Sequence, residues 1–241
     1  LQEKVCRNTS SFYMRNLRSA YNRMSNDVVL CKSTPFARVY TGVDKTRKRA
    51  LSIDDISEIK NLDLSDFNYS YNFARDMFMF SFYTRGMSFI DMAMLKMSNV
   101  SNGVISYKRK KTGQKIRVKM EKCMSDIIEK YKVEGNKYLL PIVVSLNDDG
   151  FAEHERRMYM SKLQLINRNL KSIGLMLNIA TPLTTYVARH SWASIAKSVN
   201  VPISVISDSM GHDSELTTRI YLSTLDNNVV DNANMFIISK I

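Results

Sequence analysis

The chain reads as an α+β protein, mainly α-helical with one small β-hairpin, and three features of the sequence say so. Apolar residues recur at helical spacing through most of its length. One stretch, GVISYKRKKTGQKIRVKM (residues 103–120), instead alternates apolar and polar residues on both sides of Thr112-Gly113. With 241 residues and 44% hydrophobic content, the chain can fill one large core, or one core plus a piece of another domain.

The elements follow in order. Residues 10–24 place Phe12, Leu17, Tyr21 and Met24 at helical spacing among basic residues, a basic amphipathic helix. The chain opens directly in this pattern without an initiator Met, so we expect it to begin partway through a helical domain whose last element is this helix. Residues 32–50 lose the periodicity, carry Pro35 and Gly42 and are rich in Lys and Arg. That composition suits a linker along a phosphate backbone, with Lys45, Arg47, Lys48 and Arg49 as contacts, and equally a solvated basic loop. The expected organisation is a helical segment over 1–35, a basic linker over 36–50 and a second domain over 51–241.

In that second domain Ser52 is the expected N-cap of a helix over IDDISEIKNL. Residues 72–83, apolar on several faces, predict a buried central helix, and residues 89–96 a short one. After the hairpin come helices near 120–132, 151–174, 184–199, 202–210 and 214–222, then an apolar one near 229–238. There is no internal repeat and no low-complexity tract.

Lys and Arg total 35 against 23 Asp and Glu, a formal net charge of +12, which favours a polyanionic partner: nucleic acid first, an anionic membrane surface second. No apolar run is long enough to span a bilayer and no signal segment opens the chain, so a cytoplasmic protein is expected. Cys6, Cys31 and Cys123 are widely spaced, with neither a paired motif nor nearby histidines, and read as reduced structural thiols rather than metal ligands.

Four signals carry chemistry, and each has a structural explanation when taken alone. Arg189 and His190 interrupt an apolar helix; a guanidinium facing inward requires an anion or an ion-pair partner. In MGHDSELTTRIYL (residues 210–222), Gly211 ends a helix, His212 lies in the turn, and Asp213 or Ser214 caps the helix carrying Tyr221. In isolation His212 is a turn residue and Tyr221 a packing aromatic. The hairpin tip clusters Lys108, Arg109, Lys110 and Lys111, a solvated charge run or a probe into a DNA groove. Arg85-Gly86 breaks two apolar helices ahead of Asp91, and Arg85 alone would complement a helix dipole.

In this order and spacing the residues resemble the tyrosine recombinase (phage-type integrase) family. Its site combines an Arg, a hairpin Lys, His-x-x-Arg, Gly-His and a Tyr nine residues beyond, the spacing from His212 to Tyr221 here. Lys111-Thr112-Gly113 matches the hairpin motif, and the Asn8-to-Arg23 pattern is similar to the end of the family's helical core-binding (SAM-like) domain. The resemblance implies that family's catalytic-domain fold over 51–241, with 1–35 the end of a core-binding domain.

It also implies an enzyme that cuts and rejoins duplex DNA without ATP, metal or cofactor, through a 3′-phosphotyrosine. Tyr221 would be the nucleophile, Arg189 the phosphate grip, Lys111 the general acid and His212 a donor to the phosphate, with Lys108 and Lys110 as DNA contacts. The family's Gly-Leu-Arg-x-x-Glu reads Gly86-Met87-Ser88-x-x-Asp91, so Ser88 stands where an Arg is usual, and Tyr186 stands where His-x-x-Arg has its His. Tyr186 offers a phenolic O–H in place of that His. For the missing Arg the candidates are Arg85, preferred here, and Arg109, which shares a strand face with Lys111.

Both departures resemble integrases of conjugative transposons, implying a bacterial, DNA-associated protein that integrates or excises a mobile element. Further implications are a tetramer on DNA joined by exchange of the apolar tail (Val229, Val230, Ala233, Phe236, Ile237) and accessory DNA-bending or excision proteins as partners. Tail docking in cis, a non-catalytic DNA-binding accessory relative and a type IB topoisomerase are the competing readings.

Overall fold

The computed structural model describes residues 5–27, 35–44, 50–145 and 153–212, with 214, 215, 218, 219, 222 and 238. The chain forms two compact units, Leu1–Lys48 and Arg49–Ile241.

In the first unit, α1 (Arg7–Asp27) carries the basic amphipathic sequence. Its start is tied to the following segment by Asn8, whose amide donates to Asp44 O (3.0 Å) while its Oδ1 accepts from Asp44 N (2.7 Å). Arg7 lies over the Tyr40 ring, 3.9 Å from its centroid. Phe12, Leu17 and Met24 remain exposed within this unit.

The second unit begins with α2 (Ile53–Asn61), capped by Ser52 in a capping box with Asp55. α3 (Tyr69–Tyr83) starts three residues before the sequence reading, because Asn68 caps it through Ser70 N (3.1 Å). It buries Phe73, Ala74, Met77, Phe78, Met79 and Phe80, which is why it is apolar on several faces. It packs on α5 (Lys122–Tyr131), α6 (Glu153–Met176) and α7 (Thr185–Ser198). α4 (Phe89–Ala93) is shorter than expected, and α8 (Ile203–Met210) follows α7.

The sheet has three antiparallel strands in the order β1-β2-β3: Val100–Ser101, Val104–Lys108 and Lys115–Lys119. Pairs Ile105↔Val118 and Tyr107↔Ile116 face the core, while Ser106↔Arg117 and Lys108↔Lys115 face outward, so the alternation becomes an apolar inner and a basic outer face. The first strand was not anticipated. It is two residues long and joins β2 through Asn102-Gly103, both with positive φ (50° and 69°), the pairing a tight two-residue hairpin demands. Among the described residues no helix is long and apolar enough to cross a membrane, and no cluster of His, Cys, Asp or Glu is arranged to hold a metal ion.

Candidate active site

Arg189 enters the core from α7 and is 3% exposed. Its Nη1 donates to Gly86 O (2.6 Å), and its Nη2 to Met210 O (2.6 Å). The same Nη2 lies 3.0 Å from His212 Nε2. The inward charge is thus met by carbonyls and a histidine at the ends of α3 and α8. This approach requires Gly86: its φ is 76°, and a Cβ there would stand 2.8 Å from Arg189 Cα. Arg85 before it is also left-handed (φ 62°), so the chain reverses sharply and presents the Gly86 carbonyl.

A guanidinium only donates, so His212 Nε2 accepts from Arg189 and the ring proton sits on Nδ1. Nδ1 then donates to Thr218 Oγ1 at 2.7 Å. Burial first, then the positive charges of Arg189, Arg109 and Lys111, push His212 down to about 4, so the ring is neutral at physiological pH.

The hairpin meets the same place. Arg109 Nη1 and Thr112 Oγ1 both donate to Gly211 O, the latter at 3.1 Å, and Gln114 Nε2 donates to His212 O at 3.1 Å. Gly211 ends α8 in the left-handed region (φ 64°), and a Cβ there would run into Ile116 Cδ1 at 2.8 Å. Arg109 is buried, yet its Nε has no hydrogen-bond acceptor among the described residues. Lys111, beside the turn, is exposed but near enough to act on His212.

The structure therefore brings Arg189, Arg109, Lys111 and His212 together. Arg85 is half-buried against β3, its Nη1 3.5 Å from Arg117 O, and is not among the cations that depress His212. Of the two candidates for the missing Arg, Arg109 lies with Arg189 around His212, while the left-handed turn at Arg85-Gly86 aims the carbonyl at Arg189 and the Arg85 side chain at the strand. Lys108 and Lys110 are exposed on the hairpin. Tyr186 is 52% exposed at the start of α7 and meets the His190 ring edge-on, with centroids 4.5 Å apart. Tyr221, Lys45, Arg47, Lys48, Arg49 and the apolar tail from Val229 to Ile237 lie outside the described residues, as does Cys31.

Ser88 has a different task from the Arg it replaces. Its Oγ donates to Asp91 Oδ2 (2.6 Å), and the other oxygen of the buried Asp91 accepts the backbone N–H of Lys110 (2.8 Å). Asp91 thereby ties the hairpin tip to α4. Sequence reasoning did not assign Asp91 this contact, although Ser-x-x-Asp is a capping-box pattern that marks the pair.

The chain is similar to several solved structures. Against the Tn1549 transposon integrase in complex with a circular intermediate DNA, the TM-score is 0.64 at 16% identity, covering 92% of this chain and 76% of that one. Against XerA recombinase it is 0.56 at 18% identity, covering 98% and 78%. Against a lambda integrase dimer bound to a COC′ core site it is 0.60 at 16% identity, covering 85% of this chain and only 56% of that one. No curated protein matches the chain. The family model for the phage integrase family matches residues 55–228, which include all the candidate residues from Arg85 to Tyr221. A match over most of the chain places it in the phage integrase family, the tyrosine-type site-specific recombinases that break and rejoin DNA.

Proposed function

We propose that this site exchanges phosphodiester bonds in duplex DNA with Tyr221 as nucleophile. The observation that carries the reading is Arg109: a buried guanidinium whose Nε lacks an acceptor among the described residues, beside Arg189 and His212. A buried donor without a partner is costly, and a non-bridging phosphate oxygen satisfies it.

In the reaction, the Tyr221 phenolic oxygen attacks the phosphorus and forms the 3′-phosphotyrosine bond as the P–O5′ bond breaks. Arg189 and Arg109 neutralise the charge on the non-bridging oxygens. Lys111, on the exposed tip, gives its proton to the departing 5′-oxygen. The phenol proton passes to His212 Nε2 as Arg189 turns one N–H from that nitrogen to the phosphate. Burial first and then the neighbouring cations hold His212 down to about 4; the phosphate offsets the cationic part, so its basicity rises as the substrate binds. Protonated, His212 then donates to the phosphate. Attack by a 5′-hydroxyl reverses every step, so rejoining needs no ATP. Tyr186, exposed in the first turn of the helix that carries Arg189, supplies a phenolic donor where relatives have His.

The outer face of the sheet (Lys108, Lys115, Arg117, Lys119) and Lys110 supply phosphate contacts, and the linker cations Lys45, Arg47, Lys48 and Arg49 supply others of their own. The first unit serves as the end of a core-binding domain. Similarity to a transposon integrase supports a mobile-element role. A bacterial source, tetramer assembly through the tail and accessory DNA-bending or excision proteins complete the proposal.

A nicked duplex that traps the covalent adduct is the test. An adduct with the unaltered chain and none with Tyr221→Phe supports the reading. No adduct with either leaves a DNA-binding relative without catalysis.

A further inference from the structure

Lys197 stands in the last turn of α7, where a cation ordinarily complements the helix dipole. Its Nζ instead reaches across to Leu222 O, 2.7 Å away. Leu222 is the residue that follows Tyr221. Its side chain is 5% exposed and packs in a small apolar cluster with Ala193, Ala196, Ile206 and Met210. Its N–H donates to Thr218 O (2.9 Å), and Thr218 in turn accepts from His212 Nδ1. Thr218 and Leu222 are therefore each anchored, Thr218 through His212 to Arg189 and Leu222 through Lys197. Both anchors return to α7, where Arg189 and Lys197 are eight residues apart, about 12 Å along the axis.

We propose that Lys197 is a positioning residue for the nucleophile, holding the carbonyl of Leu222, the residue next in the chain to Tyr221, fixed to the helix that carries Arg189. This inference rests on the reading of Tyr221 as nucleophile. The Leu222 side chain sets how deep the segment sits, but a lone apolar contact leaves the peptide free to swivel. A charge-assisted hydrogen bond to the carbonyl fixes its direction. Attack on phosphorus demands an in-line approach, and a misplacement on the order of 1 Å costs about 100-fold in rate.

The test uses single-turnover adduct formation by the full chain on a nicked duplex, with an ordinary phosphodiester or with a sulfur at the bridging 5′ position. A thiolate leaves without a proton, so the sulfur substrate relieves a missing general acid and does nothing for a misplaced nucleophile. Lys197→Met keeps the apolar stem and removes the charge. We expect it to bind duplex as the unaltered chain does, to form adduct about 100-fold more slowly on both substrates alike, and to be largely restored by Lys197→Arg. Lys111→Ala should be slow on the ordinary substrate and recover on the sulfur one. A Lys197→Met rate equal to wild type, rescue of that variant by sulfur, or a rate loss that merely follows lost duplex binding overturns the proposal. If Lys197→Met does not fold, Lys197→Gln, which keeps a neutral donor, carries the same comparison. No adduct from the unaltered chain refutes the nucleophile itself rather than its tether.

Discussion

Replacing Gly86 with alanine adds a single methyl group at the point where α3's end passes under Arg189. The cost has two parts. A non-glycine residue at φ 76° pays about 1–2 kcal/mol for the left-handed conformation. The new Cβ also meets Arg189 Cα and Cγ at 2.8 Å, and since Cα is backbone, α7 itself must shift; overpacking of this kind costs about 1–3 kcal/mol. Together these predict a loss of about 2–5 kcal/mol, or about 5–20 °C in the unfolding midpoint for a chain of this size. Restoring ordinary contact moves Arg189 by about 0.6 Å, enough to slow adduct formation by roughly 10- to 100-fold. Gly103→Ala is the matched control: its φ is 69°, but nothing lies within 4 Å of the added Cβ, so it pays the conformational part alone. Thermal unfolding and single-turnover cleavage of both variants decide the matter. If Gly86→Ala unfolds with Gly103→Ala and cleaves at the wild-type rate, the close approach of Arg189 does not constrain the site.

The other predictions concern the cations and their supports. Arg109→Ala should slow adduct formation by about 10²- to 10³-fold, with Lys failing to replace the guanidinium's fork, while Arg85→Ala stays within a few-fold; single-turnover cleavage giving the opposite order reinstates Arg85. Because the folded state holds His212 down to about 4, its neutral form contributes stability that is complete above the ordinary histidine value of 6.5 and is lost as pH falls through about 4. Denaturant unfolding at pH 7.5 and 4.5 should therefore show a larger acid loss for the wild type than for His212→Gln, and equal losses contradict this. Asp91→Ala leaves the Lys110 N–H without its acceptor, so that amide should exchange faster with solvent and cleavage should fall while duplex binding persists; an unchanged exchange rate removes Asp91 from the positioning of the hairpin.

Much of the fold was legible because local pattern and tertiary burial agree. α3 is apolar on several faces since it lies between α5, α6 and α7, and the hairpin is marked by alternation about a glycine that adopts φ 75°. β1 escaped because two residues carry no periodicity, although Asn102-Gly103 was a turn signal in plain view. α4 stops at Ala93, before the apolar pattern does. Where local pattern left the partners of an inward charge open, as for Arg189, only the fold brings up the carbonyls of Gly86 and Met210 and the His212 ring.

From sequence alone came the order and spacing of the candidate residues: Lys111 on a hairpin, Arg189 within a helix, His212 after a helix-ending glycine and Tyr221 nine residues on. These are local properties, set by period, turn chemistry and chain separation. The tertiary structure decided that Arg109 reaches the end of α8, that Ser88 binds Asp91, and that Lys197 holds the Leu222 carbonyl. The first and last of these are contacts between residues distant in the chain, and they exist because a buried donor takes whichever acceptor the packed core brings within reach.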